Sequence, residues 1–340
     1  MSAAPGAPTA LVTGACALVS GATGFLGSRL AAALVRRGYR VRALARPTSD
    51  LSRLAGLGVE IAVGDVGDRA ALDRAVAGQG VVFHTAGKVS DWGTEAEFLA
   101  VNRDGTTSVV AACQAAGVAR LIHVSSLTVL GLPRDGRLID EQAPYAASAP
   151  DPYTRSKIAA ERLVRAAHDQ GGLTTTVIRP GVIWGAGDVT IVPRIVDLLR
   201  QRRMPYLDGG HNLLGLSHVD NLALGCALAA ETVAAAGQVY HVTDGEETTL
   251  RQALDAIADA YRLPRPHASA PFWAVHAVAA LAELAARLRR GQRPPSITRY
   301  GVRLLSCHCR YDGGKALREL GYRPSVTFAG GVAALAPEDA

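Results

Sequence analysis

Tyr153 and Lys157 stand at i and i+4 in YTRSK, after Asp151-Pro152 and before a run with helical spacing. Residues so spaced share one helix face, so the Lys157 ammonium is expected beside the Tyr153 phenol. A free phenol, with a pKa near ~10, is a poor base at neutral pH; a fixed cation beside it favours the phenolate and lowers that value. Upstream, HVSSLTVLG at 123–131 reads as a strand ending in two serines. Ser126 is placed to hold a substrate carbonyl or alcohol oxygen during proton exchange with Tyr153, and Ser125 reads as a strand cap.

A second chemistry-bearing pattern lies near the start, where ALVTGA and ALVSGA repeat each other at 10–15 and 17–22. Only the second copy leads into glycines at G-x-x-G-x-x-G spacing, Gly21, Gly24 and Gly27. A short apolar strand, a glycine turn and the apolar helical run FLGSRLAAALVRR at 25–37 together form a phosphate-binding turn, with free helix amides aimed at an anion. The first strand is therefore expected at Cys16–Ser20, with residues 1–15 as an extension. The next strand ends in ALARPTSD, with Arg46 where an NAD site usually carries an acid for the ribose hydroxyls. A guanidinium there suits a 2′-phosphate, so NADP(H) is expected to be preferred, with NAD(H) as the alternative.

These residues need a scaffold, and the chain supplies one. Strand-like runs at Arg40–Ala45, Val59–Val63, Gly80–His84, Arg120–Ser125 and Thr174–Arg179 alternate with helical stretches at Arg69–Ala77, Glu95–Ala116 and Tyr153–Ala167. That alternation predicts an α/β fold, a Rossmann-type doubly wound parallel sheet with a smaller C-terminal substrate-binding portion. The dinucleotide-binding domain is assigned to 16–187, with 213–245 returning to it; 188–212 and 246–335 form the substrate-binding portion.

Composition narrows the function. The chain of 340 residues is 49% hydrophobic and 19% charged, with a formal charge of +6. Its 36 Lys and Arg are scattered and lack an aromatic-basic stripe, which argues against nucleic acid. The five cysteines form no paired framework, and Cys307-His308-Cys309 is half of a zinc site at most, so no metal is expected. Unpaired cysteines fit a reducing cytoplasm, where the chain is expected, and Met1 to Thr9 carries no basic residue, so no targeting signal is read. The run APFWAVHAVAALAELAA at 270–286 is too short to span a bilayer; with the arginines that follow, 270–290 is left open to a membrane surface or a partner protein.

Taken together, GATGFLG at 21–27, GDVGD at 64–68, HTAG at 84–87, the serine pair, YTRSK and RPGVIWG at 179–185 resemble the extended short-chain dehydrogenase/reductases, the superfamily of NAD-dependent epimerases and dehydratases. AGKVSDWG at 86–93 and PFWAVHAV at 271–278 are similar to its 3β-hydroxysteroid dehydrogenase branch. The resemblance implies Ser126, Tyr153 and Lys157 as catalytic residues. It implies a cofactor site of Gly21, Thr23, Gly24, Phe25, Leu26, Gly27, Asp65, Val66, Ala86, Gly87, Tyr153, Lys157, Pro180, Gly181 and Val182, joined by Arg46. Substrate contacts are expected from Lys88, Trp92, Ser126 and Trp184, and a homodimer is expected. The implied reaction is hydride transfer at C3 of a bulky apolar 3-oxo or 3-hydroxy acid. His218, in LSHVDN at 216–221, is a candidate further acid. Nucleotide-sugar 4-epimerisation and a non-catalytic NADP-binding regulator are the competing readings. Leu127-Thr128, where dehydratases carry Asp-Glu, speaks against dehydration, and the intact Ser-Tyr-Lys set against a regulator.

Overall fold

The computed structural model describes residues 14–170, 173–288 and 295–335. Most of the first ALVTGA copy and the Arg289-Arg290 pair lie outside them. Seven strands form one parallel sheet: β1 (Cys16–Ser20), β2 (Arg40–Ala45), β3 (Glu60–Val63), β4 (Val81–His84), β5 (Arg120–Val124), β6 (Thr174–Pro180) and β7 (Val239–Val242). Their spatial order is β7-β6-β5-β4-β1-β2-β3. The sheet begins at β1 and winds outward both ways, so the order reverses between β1 and β4, where ligands bind in open α/β sheets.

Burial on both faces explains why these strands read as unbroken apolar runs. In β1, Ala17 and Val19 pack against helices α1 (Phe25–Arg36) and α6 (Val219–Glu231), through Leu30, Leu34, Leu222 and Cys226. Leu18, between them, points to the opposite face with Val82 and Leu121, under α3 (Gly105–Ala115) and α4 (Pro152–Asp169). Side chains alternate across a strand, so one short run feeds two cores. The remaining described helices of the first half include α2 (Arg69–Val76), capped by Asp68.

The expected helix Glu95–Ala116 is not uniform. One turn at Glu95–Phe98 leads into a widened π-type segment at Leu99–Asp104 before α3 begins. Such insertions recur at functional sites, and this one turns Asn102 inward.

The C-terminal portion has its own core, with Ile195 and Leu199 of α5 (Ile191–Arg200), Leu250 and Leu254 of α7 (Leu250–Ala260), Ala279 of α8 (Phe272–Leu288) and Val302 of α9 (Arg299–Ser306). Short parallel strands Val182–Trp184 and Leu216–His218 tie it to the end of β6.

Candidate active site

The three motif glycines do different work. Gly21 has φ +71, and a Cβ on it would stand 2.8 Å from Ala86 Cα, so the turn lies directly on the chain leaving β4. At Gly27 a Cβ would stand 2.1 Å from the Gly21 carbonyl oxygen, so α1 closes onto the loop. Gly24 is exposed at the N-terminus of α1, which has no side-chain cap and no acid in its first turn. Open amides and the positive end of the helix dipole are left for an anion, which is what a dinucleotide pyrophosphate requires. Thr23 and Phe25 are partly exposed around this turn, whereas Leu26 is buried in the sheet core.

The flanking candidates line the same edge. Arg46 is exposed just beyond β2, and its guanidinium has no ion-pair partner among the described residues. Asp65 is exposed after β3 and accepts a hydrogen bond from Gly67 N at 2.9 Å. Val66 is buried against Gly105. Past β4, a Cβ on Gly87 would come 3.2 Å from Asn102 Oδ1 and 3.9 Å from Lys157 Nζ, so the backbone passes close to both. Gly181 packs its α-carbon against the Gly215 carbonyl and donates its N–H to Ser217 Oγ at 2.9 Å, fixing the turn from Pro180 to Val182.

Helix α4 starts where its sequence directs. Asp151 Oδ1 accepts from Thr154 N at 2.7 Å, and Pro152 occupies the first turn. Tyr153, Lys157 and Glu161 then follow one another along the face turned to β5. Tyr153 is buried, with the rings of Phe98 and Tyr300 edge-on at 6.3 Å and 5.8 Å. Ser126 starts a short 3₁₀ turn, and its Oγ accepts from Thr128 N at 3.2 Å and Thr128 Oγ1 at 3.0 Å.

The electrostatics differ from the sequence expectation. Burial pushes the Tyr153 phenol up to about 12, partly offset by the neighbouring Ser126 hydroxyl. Burial pushes Lys157 down to about 8, partly offset by Glu161. Lys157 Nζ donates to the Val124 carbonyl at 2.7 Å. The helix spacing does put both groups on one face. The lysine ammonium is bonded to the strand end, however, and loss of solvent dominates the tyrosine.

Several residues that complete the site escaped the sequence reading. Asn102 Oδ1 accepts from Lys88 N at 2.7 Å, and its Nδ2 donates to Ser156 Oγ at 2.8 Å, locking the Lys88 backbone to α4. Glu161 accepts from Ser125 Oγ at 2.5 Å, from Tyr145 at 3.1 Å and from Arg179 at 2.6 Å. Ser125 is therefore tied to α4 and is not a strand cap. Tyr300, on α9, brings the C-terminal portion against Tyr153. A signal for Glu161 was present, since it continues the i+4 series from Tyr153; Tyr300 had none nearby.

The expected substrate contacts divide. Lys88 and Trp92 lie on the loop beside Tyr153's wall, but Lys88 Nζ is engaged by Glu97 at 3.2 Å and by the Phe98 ring. Trp184 is buried in the C-terminal core, its Nε1 donating to Asp244 at 2.8 Å and its ring against His218 and Phe328. His218 caps α6 through Asp220 N and packs on Trp184, which makes it a structural residue.

Residues 18–266 match the 3-beta hydroxysteroid dehydrogenase/isomerase family. This chain belongs to that family. A 4-hydroxy-2-methyl-3-oxo-4-farnesyl-3,4-dihydroquinoline-1-oxide ketoreductase of Stigmatella aurantiaca is 37% identical over 317 residues, covering 93% of this chain and 94% of the relative. A 2-alkyl-3-oxoalkanoate reductase of Stenotrophomonas maltophilia is 35% identical over 322 residues, covering 93% and 96%. Among solved structures, that titled gox2253 is 31% identical with a TM-score of 0.77, covering 94% of this chain and 96% of that one. This member of the 3-beta hydroxysteroid dehydrogenase/isomerase family is an oxidoreductase. Its parallel, helix-flanked sheet is the doubly wound architecture expected from the sequence.

Proposed function

We propose that the chain is an NADPH-dependent ketoreductase acting at C3 of a bulky apolar 3-oxo acid, with Ser126, Tyr153 and Lys157 as its catalytic residues. The observation that carries this is the buried Tyr153 beside Ser126 at the carboxyl end of the sheet. A phenol held near 12 is protonated at neutral pH, so it stands ready to donate a proton to a developing alkoxide. Reduction needs that donor; oxidation would need the phenolate first.

In this proposal the glycine turn, Asp65, Val66, Ala86, Gly87 and Pro180 to Val182 hold the nicotinamide dinucleotide, which supplies the hydride when bound. Arg46, exposed where an acid would favour NAD, supports NADPH. Ser126 holds the substrate oxygen within reach of Tyr153, and Thr128 fixes the serine rotamer. Lys157 anchors the end of β5 through Val124 and contributes positive charge to the pocket. The aromatic walls from Phe98 and Tyr300 suit an apolar substrate, in keeping with the names of the two relatives.

The test is fluorescence titration with NADPH and NADH, followed by a panel of 2-alkyl-3-oxo acids and sterol 4-carboxylates. NADPH is expected to bind at least several-fold tighter, and Arg46→Ala to remove the difference. Equal affinities unaffected by Arg46→Ala would refute the cofactor assignment, and absence of turnover across the panel would refute the substrate class.

A further inference from the structure

Cys307 and Cys309 take no part in the proposed catalytic pocket. They follow α9 directly, with their Sγ atoms 3.4 Å apart and Leu130, Ile139 and Tyr311 packed around them. None of the five cysteines is bridged, so the contact is a hydrogen bond between two thiols. That bond from Cys307 holds the Cys309 thiol below its ordinary value, whereas burial pushes Cys113 and Cys226 up to about 12. The thiolate is the reactive form, so the pair is set apart from the other buried cysteines. It is also less enclosed: Cys307 is 7% and Cys309 2% exposed, Cys113 and Cys226 0%. Ser306 and His308, the neighbours of Cys307, line a cavity of about 190 Å³ with Arg134, Asp208, His211 and Asn212.

The segment that carries the two thiols is bound to both sides of that pocket. His308 N donates to the Pro133 carbonyl at 2.8 Å, and the His308 carbonyl accepts from Gly136 N at 2.8 Å. Both partners lie on the chain that leaves Ser126 and its 3₁₀ turn. Arg310–Tyr311 then pairs in parallel with Leu138–Ile139. Asn212 Nδ2 donates to the carbonyls of Leu305 and Cys307 at 2.8 Å and 2.9 Å, fixing the end of α9. At the start of the same helix, the Tyr300 ring stands 5.8 Å from that of Tyr153.

We infer that Cys307 and Cys309 form a thiol–disulfide site that closes reversibly by exchange with a small-molecule disulfide such as oxidised glutathione, and that closure lowers turnover by shifting the end of α9. One cysteine thiolate attacks the glutathione disulfide, releasing one glutathione thiolate and leaving a mixed disulfide. The second cysteine thiolate displaces the other glutathione. Two protein thiols are thereby oxidised, one glutathione disulfide is reduced to two thiols, and the two protons pass from the cysteines to the released thiolates. Closing brings the sulfurs from 3.4 Å to a bonding distance of about 2.05 Å, so the His308 backbone, pinned on both sides, has to give. A shift of about 1 Å in a supporting element can cost about 10²-fold in rate. The covalent site stands by itself; its effect on turnover rests on the proposed reductase reading.

The experiment incubates the reduced full chain with oxidised glutathione and digests it with trypsin, which releases both cysteines in one peptide, residues 304–310. By mass, that peptide is expected to lose two hydrogens and resist alkylation, and to regain both thiols with dithiothreitol, while Cys113 and Cys226 stay reduced. NADPH oxidation with a 2-alkyl-3-oxo acid should fall about tenfold or more in the oxidised protein and return on reduction. Cys307→Ser with Cys309→Ser, or Cys307→Ser alone if the pair lowers the melting temperature, should keep its turnover in oxidant. Two alkylated thiols in 304–310 after oxidant, a glutathione left on each cysteine, or closure in the urea-unfolded chain alone would overturn the site. Unchanged turnover in the closed protein, or equal loss of turnover in the serine variant, would overturn its effect on the reaction. Absent turnover before oxidation would instead refute the reductase reading and leave the mapped disulfide standing.

Discussion

Replacing Glu161 with glutamine tests the link between the core and the end of β5 that carries Ser125 and Ser126. The carboxylate is 0% exposed and its Arg179 partner 1% exposed. Arg179 donates to it from Nη2 at 2.6 Å and from Nε at 3.1 Å, and Ser125 and Tyr145 donate as well. Removing the charge leaves a buried guanidinium without a counter-ion, a loss of about 3–5 kcal/mol. Against a native stability of roughly 5–15 kcal/mol that is a large fraction. With a urea dependence of ~3 kcal/mol/M, the unfolding midpoint should fall by about 1–1.7 M. Turnover should fall too, because Ser125 loses its acceptor next to Ser126 and Lys157 loses the carboxylate that offsets its desolvation. Glu161→Met with Arg179→Met should regain most of the stability, since no buried charge is then unpaired. A stability change under about 1 kcal/mol in Glu161→Gln, typical of an exposed ion pair, would refute the reasoning.

Acid should destabilise the protein early. Burial holds His84 and His241 down to about 3 and His123 well below its ordinary value, so all three stay neutral in the fold while the unfolded chain takes up protons below about 6.5. Stability present above that pH is lost as pH falls, about 2 kcal/mol per histidine between pH 7 and 5; urea midpoints equal at those two pH values would contradict it. Gly24→Asp should abolish dinucleotide binding by placing a carboxylate at the open start of α1, with the circular dichroism spectrum unchanged; retained affinity would move the phosphate site elsewhere. Gly27→Ala puts a methyl 2.1 Å from the Gly21 oxygen and should lower stability by about 2–3 kcal/mol, read from thermal melting against Gly24→Ala, which has more room.

The doubly wound sheet was legible because parallel strands buried on both faces leave short apolar runs, and β1 to β6 fall at or within a residue or two of those runs. The glycine turn was legible because its spacing singles out one of two near-identical copies. Other features lie in contacts between residues far apart in sequence. Glu161 meets Arg179 across 18 positions, and Tyr300 reaches Tyr153 from another part of the chain. The i+4 rule placed Lys157 on the right face, but not the carbonyl its ammonium finds, nor the burial that raises Tyr153. Trp184 and His218 look like ligand contacts by residue type. Their partners, Asp244 and Phe328 for the one and the start of α6 for the other, show an internal role that local sequence does not reveal.

In the proposed reaction Tyr153 donates the proton that completes ketone reduction. Single-turnover reduction of a 2-alkyl-3-oxo acid, followed by loss of NADPH absorbance in wild type and Tyr153→Phe with fluorescence titration of NADPH alongside, addresses it most directly. A rate lower by about 10²–10⁴ with NADPH affinity nearly unchanged is expected, the value of one positioned general acid. A near-normal rate with authentic hydroxy-acid product from Tyr153→Phe would contradict it.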